Sequence, residues 1–101
     1  MITKKTAKGK SVCNVTFELP QAAAEGAKQV QVLGDFNNWD PSNALLLKAS
    51  KKGGFSASID LESGREYAFR YLVDGTRWEN DWQADKYVPT DLGIDNSVVV
   101  L

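Results

Sequence analysis

Two stretches of period-two alternation limit the folds open to this chain more than any other feature. In residues 12–19, Cys13, Val15, Phe17 and Leu19 fall on one face, while Asn14, Thr16 and Glu18 fall on the other. Residues 67–73 repeat the pattern, with Tyr67, Phe69, Tyr71 and Val73 opposed to Ala68, Arg70 and Leu72. Alternation of this kind describes half-buried strands, and Pro20 ends the first of them. Shorter alternating runs at residues 29–34, 55–61 and 97–101 are separated by turn chemistry: DFNNWDPSN at 35–43, KKGG at 51–54, ESGR at 62–65 and Asp74-Gly75. Residues 44–48 fit a short strand, 21–28 a connection with one helical turn, and 80–95 an irregular polar segment. The expected fold is all-β, an immunoglobulin-like antiparallel β-sandwich of about seven strands.

At 101 residues there is room for one domain. The division reads as a flexible basic arm over residues 1–10, carrying Lys4, Lys5, Lys8 and Lys10, followed by a sandwich over 11–101. A net charge of −1 gives no electrostatic case for nucleic acid, and no apolar run approaches the roughly 20 residues of a membrane-spanning helix. Cys13 is the only cysteine, so no disulfide forms within the chain. With no apolar leader in the first ten residues, the expected location is cytoplasmic.

Much catalytic chemistry is missing. There is no histidine, which removes the commonest general base, the Ser-His and Cys-His pairs and the usual transition-metal ligand. No zinc site and no phosphate-binding glycine loop can be assembled, so neither metal nor cofactor is expected. A glycosidase pair drawn from Asp74, Glu79, Asp81 and Asp85 is the one route left on paper. Those carboxylates lie in turn-rich sequence, where capping is their ordinary role, and no enzyme activity is expected.

What remains is aromatic. Trp39, Trp78 and Trp82 lie in polar, turn-rich segments rather than in alternating strands, where little apolar sequence exists to bury them. An indole offers a flat surface to the C–H face of a pyranose. Asn37, Asn38, Asn80, Gln83, Asn96 and Arg70 offer hydrogen bonds to its hydroxyl rim.

Three motifs then carry a resemblance. Val30-Gln31-Val32-Leu33-Gly34-Asp35-Phe36-Asn37-Asn38-Trp39 resembles the V-x-V-x-G-x-F-N-x-W signature of the family 48 carbohydrate-binding modules. Residues 67–75, YAFRYLVDG, resemble the Y-x-F-x-V-D-G strand and turn, and residues 92–99, LGIDNSVV, the closing L-G-x-x-N-x-V-V segment. The family includes the glycogen-binding domain of the AMP-activated protein kinase beta subunit and the early-set N-terminal domains of isoamylase and of branching enzymes.

The resemblance implies a non-catalytic module for glycogen, starch or other α-1,4-linked glucan. It implies glucose stacked on Trp39 and Trp78, and hydroxyls bonded by Arg70, where the kinase domain has lysine, and by Asn96. Leu92 is implied to press into the curve of the glucan. Three departures stand out. Arg77 is an extra residue before Trp78, Ile94 replaces a sugar-touching threonine, and Trp82 stands near a family proline as a third platform or a replacement for Trp78. The alternative reading is a protein-interaction or regulatory early-set domain that docks on a separate glucan-metabolising enzyme.

Overall fold

The computed structural model describes residues 2–6, 11–51, 53–91 and 93–101. Their strands are β1 (Ile2–Thr6), β2 (Val12–Leu19), β3 (Val30–Gly34), β4 (Leu45–Ala49), β5 (Phe55–Glu62), β6 (Glu66–Val73), β7 (Arg77–Glu79), β8 (Lys86–Pro89) and β9 (Asp95–Val100). All pairings are antiparallel. The strand order is β1-β2-β5-β4-β3-β6-β9-β8, with β7 also paired to β6.

Strand β4 turns this path into a sandwich. Leu45 to Leu47 pair with β3, whereas Lys48 and Ala49 pair with β5, so one strand belongs to both sheets. Between the sheets, Phe17 meets Phe69 edge-on at 4.8 Å and stacks on Phe36 at 5.6 Å. Tyr67 and Tyr71 extend the cluster along β6. Every inward residue expected from the two alternating runs is buried: Cys13, Val15, Phe17 and Leu19 on β2, and Tyr67, Phe69, Tyr71 and Val73 on β6. Apolar area removed from water on these faces is the main favourable contribution to folding.

Three sequence expectations differ from the structure. Ile2–Thr6, read as part of a flexible arm, forms edge strand β1, in register with β2 from Ile2↔Phe17 to Thr6↔Cys13. Its lysines had suggested solvent. An edge strand needs only one paired side, however, and exposed lysines suit it. Lys4 sits on the inward side of that edge and binds Asp85 at 2.6 Å. Second, the polar segment after Trp78 contains β8, paired with β9 from Lys86↔Val98 to Pro89↔Asp95. It is exposed throughout, so hydrophobic alternation never marked it. Third, these additions raise the strand number from about seven to nine among the described residues.

A buried polar link ties the end of β7 to the core. The Tyr71 hydroxyl donates to Asp81 Oδ2 at 2.7 Å, and Asp81 Oδ1 accepts from Gln83 N at 2.8 Å. The Asp81 backbone N–H donates to Ser97 Oγ at 2.9 Å. Burial and the neighbouring Asp81 carboxylate push the Tyr71 hydroxyl far above the ordinary phenol range, so it remains a donor. Tyr71→Phe removes a donor from a carboxylate that is 1% exposed. The expected loss is about 1–3 kcal/mol of stability in urea unfolding, and an unchanged midpoint would contradict this account of the link.

Candidate functional site: one apolar outer face

The two outer faces of the sandwich differ in chemistry. On β2 and β5 the outward residues are Asn14, Thr16 and Glu18 opposite Asp60, Ser58 and Ser56. They bond one another: Asn14 Nδ2 donates to Asp60 Oδ1 at 2.9 Å, and the Thr16 and Ser58 hydroxyls lie 2.7 Å apart. The outer face of the β3–β6–β9 sheet instead carries Leu33, Leu72, Val98, Val88 and Trp78 around Arg70 and Asn96. Leu33, Leu72 and Val98 are buried, whereas Trp78 and Val88 are exposed, and exposed apolar side chains gathered on one face are the usual mark of a contact surface.

Arg70 is the centre of that face. Its Nε donates to Asn96 Oδ1 at 2.6 Å. Its guanidinium carbon lies 5.9 Å from the centroid of Trp39 and 5.8 Å from that of Trp78, both within cation–π range. The structure therefore brings together Trp39, Arg70, Trp78 and Asn96, four residues singled out by sequence. Outward parity of Arg70 follows from alternation, since Phe69 and Tyr71 on either side are buried.

Trp39 is held by the loop that follows β3. A 3-10 turn, Asp35–Asn37, leads into Asn38 and Trp39, both at φ 57°. Left-handed backbone costs about 1–2 kcal/mol for a residue with a Cβ, so this conformation needs outside support. Three contacts provide it. Trp39 N donates to Gly34 O at 3.0 Å, and the indole Nε1 donates to Asp35 Oδ1 at 3.0 Å. The other Asp35 oxygen accepts from Ala68 N at 2.9 Å. One carboxylate thus ties the indole to strand β6. Gly34 admits the close approach, because a Cβ there would lie 2.9 Å from Phe69 Cβ and against the Ala68 carbonyl.

Trp78 reaches the same face through register. The three-residue turn Asp74-Gly75-Thr76 pairs Val73 with Arg77 and Leu72 with Trp78. Two backbone donors, Lys28 N at 2.8 Å and Gln29 N at 2.9 Å, hold Asp74 Oδ1. The extra Arg77 is absorbed without moving Trp78 off the face. Its guanidinium binds Glu79 at 2.8 Å and reaches the Ala23 carbonyl at 3.4 Å.

The other sequence candidates separate. Trp82 is the most exposed of the three indoles at 56%, but no described contact joins it to the Arg70 cluster. Leu92 lies outside the described residues. Ile94 is exposed and lines, with Arg70, Trp78, Glu79, Asn80 and Asp95, a shallow cleft of about 100 Å³. A larger hollow of about 480 Å³, bordered by Glu18, Pro20, Gln21, Ser50, Lys51 and Gly54, shares no residue with that cleft.

Two proposed sugar-bonding amides have structural partners instead. Asn37 is buried, accepting from Gly34 N and donating to Val32 O. Asn80 donates to Asp95 O and accepts from Ser97 Oγ. The carboxylates considered for catalysis are likewise engaged: Asp74 with backbone N–H groups, Asp81 with Tyr71, Asp85 with Lys4 and Glu79 with Arg77. Asp35 is the important residue that sequence reasoning passed over. It lay in plain view in the turn motif, but only the register of β3 on β6 reveals its second partner.

An open sandwich face with paired indoles around one central arginine is the build of a carbohydrate-binding module. The chain belongs to the family described as the glycogen recognition site of AMP-activated protein kinase, whose model matches residues 9–100. It is similar to the 5'-AMP-activated protein kinase subunit beta-2 of Homo sapiens, Mus musculus and Rattus norvegicus, at 33% identity over 76 residues in each. That match covers 75% of this chain and 26% of each subunit, so the chain spans about a quarter of the length of these relatives.

The two N–H bonds on Asp74 hold its carboxyl below the usual carboxylate range. The stability that a lowered carboxyl pKa contributes is present above the unfolded value of about 3.9 and disappears as pH falls through the folded value. Asp74→Asn is therefore expected to unfold more easily than wild type at neutral pH. The gap should close as pH falls below the unfolded value and through the lower folded one. A gap that stays constant with pH would show that the charge on Asp74 is irrelevant.

Proposed function

We propose that this chain is a non-catalytic binding module for α-linked glucan. Glucose units stack on Trp39 and Trp78, while Arg70 and Asn96 bond the hydroxyls between them. The observation that carries this reading is the single guanidinium lying within 6 Å of both indole centroids, on the apolar outer face. Because both distances start from one atom, the two rings lie close enough together for one short oligosaccharide. The Nε of Arg70 is occupied by Asn96, which leaves its terminal nitrogens to donate to hydroxyls. Membership of a glycogen-recognition family and similarity to kinase beta-2 subunits support the same ligand class. A glucan store and a buried, unpaired Cys13 both suit a cytoplasmic setting, which is part of the proposal.

An open face gives modest affinity. Efficiency falls to about 0.3 kcal/mol per heavy atom even for drug-sized ligands in good sites. The expected dissociation constant is roughly micromolar to millimolar. Trp82, away from the cluster, contributes little in this reading.

A second reading is docking on a separate glucan-metabolising enzyme or kinase-like subunit. The match to one quarter of a longer kinase subunit favours it. The polar face of β2 and β5 would be the docking surface, so Trp39→Ala would leave such a complex intact.

Isothermal titration with β-cyclodextrin and maltoheptaose tests the leading reading. Binding by the wild type, loss of at least about tenfold in affinity for Trp39→Ala and for Trp78→Ala, and less than about twofold for Trp82→Ala are expected. Folded wild-type protein giving no heat at millimolar ligand would overturn it.

A further inference from the structure

Cross-strand register extends the outer face beyond the cluster described above. Leu46 of β4 pairs with Gln31 of β3, Gln31 with Leu72 of β6, and Leu72 with Trp78 of β7. These four side chains stand in one row across four neighbouring strands on the face that carries Arg70. At the usual strand spacing of about 4.8 Å, the row is about 14 Å long. Its far end is open: Leu46 is 52% exposed, in contrast to Leu45 and Leu47 beside it, which pack toward the core.

From this row we infer that Leu46 and Gln31 form an additional glucan subsite flanking the Trp78 platform, an inference that rests on the glucan-binding reading. Three features select further glucose units of the same chain as its occupant. The row contains no charged side chain, which suits a neutral polymer. It sets one exposed apolar side chain, Leu46, beside one amide, Gln31, with the buried Leu72 between them and Trp78. Those are the two chemistries a pyranose presents, an apolar C–H face and a hydroxyl rim. The row is also continuous with Trp78 through direct strand pairing. A lone exposed leucine carries no such meaning. Here it lies in register with a platform, on the apolar one of two outer faces.

The subsite serves only ligands long enough to leave the Trp39–Trp78 cluster. A closed ring such as β-cyclodextrin has no free end to run along the row, whereas a linear maltodecaose does. Titration of wild type, Leu46→Ser and Gln31→Ala with both ligands is the test. Both substitutions are at surface positions, and the cyclodextrin titration doubles as a check of folding. Expected are unchanged β-cyclodextrin affinity and a loss of about threefold or more for maltodecaose in each variant. Wild-type binding to both ligands, with variants that match wild type on maltodecaose, would overturn the subsite while leaving the glucan-binding reading standing. Absence of wild-type binding to either ligand would overturn both. An equal loss on the two ligands would also overturn the subsite, because it would trace the effect to the cluster itself.

Discussion

Strand β6 is hydrogen-bonded along both edges, to β3 on one side and to β9 and then β7 on the other. Because its side chains alternate, that pairing sets two surfaces at once. Phe69 and Tyr71 go into the aromatic core against Phe17, so Arg70 between them must face outward. Register then supplies the surroundings of Arg70: Leu33 from β3, Asn96 from β9, and Trp78 beside Leu72. A one-residue slip would reverse all of these faces together. The core and the proposed ligand face are thus specified by the same hydrogen-bond ladder.

The loops add what the strands cannot. Trp39 has left-handed backbone, a conformation that persists only where surrounding contacts enforce it. Asp35 joins the indole to the Ala68 amide, while Asp74 joins the turn before Trp78 to the backbone at Lys28 and Gln29. For Trp39 and for the turn before Trp78, a carboxylate that bonds a distant backbone N–H group sets the position. Holding the rings in advance reduces what ligand binding must order. Asp35 and Asp74 thus serve the geometry of this face.

Period-two alternation revealed the core because burial on one face leaves a mark at every second residue. It also gave the outward direction of Arg70, and the turn residues of DFNNWDP located the loop that carries Trp39. Strands β1 and β8 left no such mark. Lys4, Lys5, Lys86 and Tyr87 sit at sheet edges, where pairing on one side and solvent on the other remove the hydrophobic signature. The roles of Asn37, Asn80 and Asp35 depend on partners contributed by register or by loop closure, which a linear sequence does not display. Residue type alone pointed to Asn37 as a sugar contact, and its two bonds to Gly34 and Val32 assign it to the loop.

Glucan is proposed to meet one outer face, through Trp39, Arg70 and Trp78 together. Mapping chemical-shift changes during titration with maltoheptaose tests it most directly, because each indole N–H reports separately. Concerted shifts of the Trp39 and Trp78 indole protons and the Arg70 Nε proton are expected, with the Trp82 indole nearly still. Shifts centred on Asn14, Thr16 and Ser58 of the opposite face, or on Trp82 alone, would contradict it.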